Sequence, residues 1–250
     1  MTLSNKTFVI MGATSGIGNA LAEKLSFDGA SLVLCGRNAA MLSSLAGKIQ
    51  TKKRLINIDV TSPSFEEDFN RELALASDDL SVERFDGGVY CSGIAPIMPL
   101  RGINKKTINN IFEVNYTGAI LFSKVLASKS FRANQSSLVL ISSVSAHAGE
   151  KGLGAYGASK AALEASAQAF ARELAPFGVR INCVSPGWLD TNMNKENILA
   201  VNGLEEKMKE AHPLGLGSAV DVASAAAFLL SDEAKWITGT TVIVDGGFLS

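Results

Sequence analysis

An α/β fold, a doubly wound parallel sheet of about seven strands with helices on both faces, is predicted for this chain by three features of its sequence. Short apolar, β-branched runs alternate with longer helical patterns from one end to the other. Those runs are apolar almost throughout, as strands buried on both faces are, rather than at every second position. A glycine-rich turn, GATSGIG at residues 12–18, joins the first run to the first helix. Strand–helix alternation of this kind implies right-handed crossovers between neighbouring parallel strands.

The strand candidates in order are TFVIMG, SLVLCG, RLINIDV, GGVYCSG, SSLVLISS, VRINCVSPG and TTVIVDGG. Helical patterns fill the gaps: residues 17–27, residues 39–49, SFEEDFNRELALA, one long stretch INKKTINNIFEVNYTGAILFSKVLA, then AYGASKAALEASAQAFARELA and DVASAAAFLLS. No internal repeat, low-complexity tract or linker interrupts them, so residues 1–250 read as one domain. Residues 190–213, DTNMNKENILAVNGLEEKMKEAHP, break the rhythm by adding helix between the sixth and seventh strands. An insertion beyond a strand's carboxyl end is expected to act as a lid on the substrate side. Its Ile198, Leu199, Val201, Leu204 and Met208 offer an apolar wall, or pack against the domain.

A chain of 250 residues at 47% hydrophobic buries a large core. Its net charge of −1 gives no electrostatic case for nucleic acid or an anionic membrane. No apolar stretch spans a bilayer, no signal peptide opens the chain, and a cytoplasmic location is expected. Cys35, Cys91 and Cys183 lie far apart in apolar runs without metal-ligand spacing. They read as core thiols in a reducing compartment, and no metal is expected.

The turn places Gly12, Gly16 and Gly18, with Thr14, Ser15 and Ile17 between them, where backbone bends tightly and approaches a ligand. The helix it opens offers free N–H groups and a partial positive charge to a pyrophosphate. The second strand ends Cys35-Gly36-Arg37-Asn38. An acid there would serve the ribose hydroxyls of NAD. Arg37 instead meets a 2′-phosphate, which favours NADP(H) over NAD(H). Asp59 and Val60 close the third strand; the carboxylate suits an adenine amino group, a helix cap or a turn.

Tyr156 and Lys160 stand one helical turn apart in GAYGASKAALEA, among glycines and alanines that leave room for a flat ligand. An ammonium beside a phenol is expected to lower the phenol's pKa and fit it to exchange a proton with a carbonyl oxygen. The fifth strand ends Ser142-Ser143, and a hydroxyl at that edge could stabilise the same oxygen. Side chains alternate along a strand, so only one of the two faces the site.

These features together resemble the short-chain dehydrogenase/reductases, in the subgroup of about 250 residues that includes 3-oxoacyl-acyl-carrier-protein reductases. The resemblance runs through nearly the whole chain and implies a Rossmann-type sheet. It rests on the glycine turn, Ser143 thirteen residues before Tyr156, Lys160 four after it, Asn115 in FEVNYTG, Pro186-Gly187 with Thr191, and the closing VDGG. The spacing selects Ser143 over Ser142. The resemblance implies hydride transfer between a nicotinamide and a carbonyl or alcohol, with Tyr156 as acid and base. Lys160 would hold the nicotinamide ribose, Ser143 polarise the carbonyl and Asn115 support a water relay. Pro186, Gly187, Leu189 and Thr191 would clamp the nicotinamide, and Gly93 would approach the adenosine ribose. A homo-oligomer, dimer or homotetramer, is implied as well.

The chain departs from the family pattern at Met11, where threonine is usual, and at Tyr90-Cys91-Ser92-Gly93, where Asn-Asn-Ala-Gly is usual. Met11 and Cys91 are expected to be a joint apolar replacement, since removing both partners of a buried polar contact can be nearly neutral. Positions linked to acyl-carrier docking carry Asn134 and Phe177, neither basic, with Arg132 and Arg172 nearby. A small-molecule or acyl-thioester carbonyl is the expected substrate. A 3-oxoacyl-acyl-carrier-protein reductase and a non-catalytic dinucleotide sensor or scaffold stand as alternatives. His147 and His212 read as substrate-side or surface groups.

Overall fold

The computed structural model describes residues 3–190 and 204–250. Among them seven parallel strands form one sheet: β1 (Thr7–Met11), β2 (Ser31–Gly36), β3 (Lys53–Asn57), β4 (Phe85–Tyr90), β5 (Arg132–Ile141), β6 (Val179–Pro186) and β7 (Thr241–Val244). Their order is β3-β2-β1-β4-β5-β6-β7. The chain runs outward from β1 through β3, then returns to the other side of β1 as β4. Loops leaving β1 and β4 therefore diverge at their carboxyl ends and open a crevice there.

Helices α1 (Gly16–Phe27), α2 (Ala39–Ala46) and α8 (Ala219–Leu230) cover one face of the sheet. Helices α3 (Phe65–Leu80), α5 (Gly118–Leu126) and α6 (Gly154–Leu174) cover the other. Successive residues of β1 serve opposite cores: Phe8 and Ile10 pack with Leu21, Leu25 and Val222, whereas Val9 and Met11 pack with Phe69, Phe122 and Leu163. That double burial is why the strands read as unbroken apolar runs rather than alternating ones. Phe122 anchors the second core, its ring 5.7 Å from that of Phe69 and 5.6 Å from that of Tyr90.

The long fourth helix expected from the sequence is broken. Helix α4 (Lys105–Phe112) gives way to a π turn over Glu113–Thr117, where the Gly118 N–H reaches back five residues to the Glu113 carbonyl, before α5 begins. Such a turn is a local widening often found at functional sites. Two contacts fill the space it makes. Tyr90 donates its hydroxyl to the Val114 carbonyl at 2.5 Å, and Gly118 leaves room for that same hydroxyl.

Helix α7 (Leu204–Ala211) is the described part of the expected insertion, and Met208 within it is buried. Ile198, Leu199 and Val201 lie outside the described residues. Phe122 makes no contact with solvent. Phe122→Ala is expected to cost about 3–5 kcal/mol, read as a lower urea midpoint with an unchanged slope.

Candidate active site

The glycine turn and the carboxyl ends of β1, β2 and β4 frame a cleft. Gly12 has φ +81°, and a Cβ there would lie 2.7 Å from the Ser92 backbone nitrogen. Its N–H and that of Ala13 both donate to the Cys35 carbonyl, which closes the turn. Ser15 caps α1 by accepting from the Gly18 N–H at 3.0 Å. A Cβ on Gly18 would strike the Gly12 carbonyl and come within 2.9 Å of Ser15 Oγ.

Thr14, Ser15, Gly36, Arg37, Val60 and Gly93 line a cavity of about 680 Å³. Thr14, Ser15 and Gly93 also line an adjoining cavity of about 490 Å³, with Gly16, Ile17, Ser143, Tyr156, Lys160, Pro186, Gly187 and Leu189. The two share Thr14, Ser15, Met41, Cys91 and Gly93 and make one trough. The bare glycine edges and the capped helix start fit a phosphate group. Arg37 is exposed at the trough's mouth. Asp59 turns inward on itself instead, accepting from the Thr61 N–H at 2.9 Å and the Thr61 hydroxyl at 2.8 Å. Burial alone would raise its pKa, but these bonds and the nearby Arg37 charge hold it below the usual carboxylate range. Of the roles the sequence allowed Asp59, the turn is the one its bonds define.

The second cavity holds the hydroxyl, phenol and ammonium that the sequence singled out. Ser143 follows the end of β5 in extended backbone and lines the same cavity as Tyr156. Its neighbour Ser142 turns the other way and donates to Glu164 at 2.6 Å. Lys160 is buried, donates to the Ile141 carbonyl at 2.7 Å, and sits 5.8 Å from the Tyr156 ring centroid. Burial lowers its pKa to about 8, so it is charged at neutral pH and loses that charge as pH rises through this value. Burial also pushes the Cys91 and Cys183 thiols beside it up to about 12, so both stay protonated.

Tyr156 departs from expectation. Its phenol is pushed up, first by burial and further by the Glu150 carboxylate, with the Ser143 hydroxyl acting in the opposite sense. The Lys160 ammonium is committed to Ile141 and does not overcome that burial in the free chain.

Asn115 occupies the π turn and is fully buried. Its amide makes a reciprocal pair with Ile94, accepting from the N–H at 2.8 Å and donating to the carbonyl at 3.0 Å. It also donates to Ser159 on α6 at 3.0 Å. Asn115 thus ties the loop after β4 to the helix that carries Tyr156 and Lys160. A Cβ on Gly93 would lie 3.4 Å from Lys160 Nζ and 3.5 Å from Asn115 Oδ1.

Met11 and Cys91 are neighbours, as expected, since the Cys91 N–H donates to the Met11 carbonyl at 2.8 Å. Their side chains nonetheless serve opposite cores. The partner of Met11 across the ladder is Tyr90, which shares its face. The apolar replacement therefore joins Met11 to Tyr90, whose one polar atom is satisfied by Val114.

The role of His212 is not visible in the sequence. It is buried rather than a surface group. Its Nε2 accepts from the Trp188 N–H at 3.1 Å, so its Nδ1 carries the proton and donates to the Met208 carbonyl at 2.6 Å. Phe248 stacks on the ring at 4.8 Å, and Gly187 passes too close to the ring for a Cβ. One imidazole thus joins α7, the segment Pro186–Asp190 and the C-terminal turn. No short-range pattern signals such a contact. His147 is partly exposed and pairs with Glu164 at 3.1 Å. Thr191 lies outside the described residues. Among the described residues no group of acids, histidines and cysteines could hold a metal, and no helix is long and apolar enough to cross a membrane.

The sheet, its switch point and the glycine-lined trough define a Rossmann-type oxidoreductase working with a nicotinamide dinucleotide. The family model described as enoyl-(acyl carrier protein) reductase matches residues 12–249. The chain belongs to the short-chain dehydrogenase/reductase family. It is 32% identical to the vibriobactin-specific 2,3-dihydro-2,3-dihydroxybenzoate dehydrogenase of Vibrio cholerae, over 99% of this chain and 97% of that protein. Identity to a 3-oxoacyl-acyl-carrier-protein reductase of Aquifex aeolicus is 30%, over 98% of each. A short-chain type dehydrogenase/reductase from Mycobacterium ulcerans superposes with a TM-score of 0.91 at 29% identity, covering 100% of this chain and 91% of that one.

His212→Ala removes two buried hydrogen bonds. It is expected to lower stability by about 1–3 kcal/mol and to speed amide exchange at Trp188 relative to β4 and β5, read by hydrogen–deuterium exchange.

Proposed function

We propose that this chain is an NADP(H)-dependent carbonyl reductase and alcohol dehydrogenase. In it Tyr156 exchanges the proton, Ser143 holds the substrate oxygen, and Lys160 and Asn115 organise the cofactor end. The observation that carries this reading is the meeting of Ser143, Tyr156 and Lys160 at one end of the glycine-lined trough. A bound dinucleotide supplies the hydride. Gly12, Thr14, Ser15, Gly16, Ile17 and Gly18 would hold its pyrophosphate, and Gly93 would admit the ribose. Arg37 would meet the 2′-phosphate. Val60, with Asp59 at the rim, would border the adenine, while Pro186, Gly187, Leu189 and Thr191 would border the nicotinamide.

In reduction the Tyr156 phenol, protonated at neutral pH, gives its proton to a carbonyl oxygen held by Ser143. In oxidation the phenolate takes the proton back. Lys160 keeps one N–H on Ile141, which fixes its ammonium against the trough floor. Residues 190–213 are proposed as the substrate-side cover, anchored through His212 to Trp188. The enzyme is proposed to be cytoplasmic and a homo-oligomer. Half-exposed edge strand β7 and exposed Phe228 and Ile243 support a contact surface there.

Ala95, Val144, Leu153 and Trp188 wall the substrate end, which favours a compact apolar or ring-bearing carbonyl. The Vibrio relative, a dehydrogenase of a cyclic dihydrodiol by its name, points the same way. A carrier-bound thioester fits less well. Arg132, beside the docking position Phe177, donates to the Phe177 carbonyl at 2.8 Å and lies over its ring.

The test is NADPH oxidation with acetophenone and with acetoacetyl-CoA. Tyr156→Phe is expected to lose turnover at least about 100-fold while still binding NADPH. Retained turnover would remove Tyr156 from the chemistry. NADPH binding with no Tyr156-dependent turnover on any carbonyl would favour the sensor reading. Arg37→Ala is expected to raise the KM for NADPH about 10–100-fold and to leave that for NADH unchanged; equal effects on both would withdraw the NADP preference.

A further inference from the structure

Three loops frame the substrate end of the cleft, and each is tied to the next. The loop after β4 reaches the loop after β5 where the Met98 N–H donates to the Gly152 carbonyl at 2.8 Å. Gly152 has φ +83°, and a Cβ there would lie 2.8 Å from Ile97 Cγ2. The loop after β5 reaches the segment after β6 where Trp188 Nε1 donates to Glu150 Oε1 at 3.0 Å. Trp188, Ser145 and Leu153 line the cavity that holds Tyr156, and Glu150 does not.

Both ends of that bridge are anchored. The second Glu150 oxygen accepts from the Ser145 hydroxyl, and the Glu150 carbonyl accepts from the Leu153 N–H at 3.2 Å. The Trp188 N–H donates to His212, and its carbonyl accepts from the Gly217 N–H at 3.3 Å. Two bonds thus fix the backbone of Trp188. Its indole has a single donor, and Glu150 takes it. With the backbone fixed, that one bond selects where the ring stands in the cavity wall.

We propose that Trp188 is a specificity-determining residue whose indole sets the upper size of the substrate, and that Glu150 is the positioning residue that holds it in place. The class admitted is a ketone, an aldehyde or the corresponding alcohol that carries one ring or a short chain. A second ring or a long acyl chain meets the indole. A fixed wall rejects added size because the extra atoms must displace packed ones, whereas a ring free to turn gives way. The proposal rests on the reading that this cavity receives the carbonyl.

The first measurement needs neither cofactor nor substrate. The chain has two tryptophans, Trp188 and Trp236, and Trp236 is 97% exposed. In the full-length protein labelled with nitrogen-15, the Trp188 indole N–H is expected to exchange with water at least about tenfold more slowly than that of Trp236. Trp236→Phe assigns the two signals. Glu150→Ala is expected to remove most of this difference and to leave amide exchange in β4 and β5 as in the wild type. Glu150→Gln is expected to keep it, because the amide oxygen accepts from Trp188 while its N–H donates to Ser145 Oγ.

The second measurement reads size. Acetophenone and 4-phenylacetophenone present the same carbonyl with one ring or two. Their dissociation constants are measured on the protein loaded with NADP⁺, where a ketone has no hydride to take, and kcat/KM is measured with NADPH. The wild type is expected to bind 4-phenylacetophenone no more tightly than acetophenone, despite its larger apolar area. Glu150→Ala and Trp188→Ala are expected to favour the larger ketone at least about tenfold more than the wild type does. The ratio of kcat/KM values is expected to move with the binding ratio, and Glu150→Gln to keep both near wild type. Any effect on Tyr156 acts on both ketones alike and cancels in the ratio.

A Trp188 indole that exchanges as fast as Trp236 in the wild type would overturn the bridge. Protection lost in Glu150→Ala with an unchanged ratio of the two ketones would overturn the size limit. A ratio shifted in Trp188→Ala alone would overturn the positioning role of Glu150, and binding of neither ketone by any of these proteins would overturn the proposal as a whole. A binding ratio shifted as expected, with no turnover of either ketone, would refute the proposed activity and keep the size limit.

Discussion

The buried ammonium of Lys160 is the constraint around which the site is built. A lysine is rarely taken out of water, because desolvation disfavours its charge. Here a single fixed acceptor, the Ile141 carbonyl at the carboxyl end of β5, holds it. The β4 ladder ends one residue earlier, at the pair Tyr90–Leu140, while the β6 ladder pairs Ile141 itself with Val184. The rest of the wall is kept small and uncharged. Gly93 has no side chain to crowd the ammonium, and Cys91 and Cys183 stay protonated beside it. Asn115, in the π turn of the preceding helix, fixes the backbone of Ile94 across the gap.

The double-sided sheet makes this geometry affordable. Alternate residues of β1 belong to different cores, so helices on both faces lock the positions of the strand ends. Both faces then contribute to one crevice. From one side α6 delivers Tyr156 and Lys160; from the other α1 delivers its capped N-terminus through Ser15. Trp188, Gly187 and the C-terminal turn meet on His212, so the segment at the far wall of the crevice is positioned by a side chain that never enters it.

Much of this was legible in the sequence, for reasons that are local. Strands buried on both faces are written as unbroken apolar runs, and the turn at Gly12 needs a residue that tolerates positive φ and close approach. Tyr156 and Lys160 are visible because helical neighbours are four residues apart. What escaped was long-range. The π turn hides inside a sequence with ordinary helical content, and the backbone that its Asn115 binds, at Ile94, is twenty-one residues away. His212 looked like a loop residue because its partners, Met208, Trp188 and Phe248, come from three segments. Met11 pairs with Tyr90 rather than Cys91 because successive residues of β4 face opposite cores, which closeness in the sheet alone does not reveal.

Tyr156 shows where residue spacing stops being enough. Placing a lysine one turn away suggests a phenol tuned downward, yet spacing says nothing about where the ammonium's hydrogen bonds go or how much water remains. In the folded chain burial acts on both groups in the direction of their neutral forms: it raises the phenol and lowers the ammonium. The free protein therefore does not hold a phenolate against an ammonium. Tyr156 instead sits between Lys160, turned toward Ile141, and Glu150, which adds negative potential from the substrate side. A phenol in that position is an acid by default. It becomes a base only when something in the cleft supplies a donor or a positive charge, so its acidity is set by what binds rather than by its helix alone.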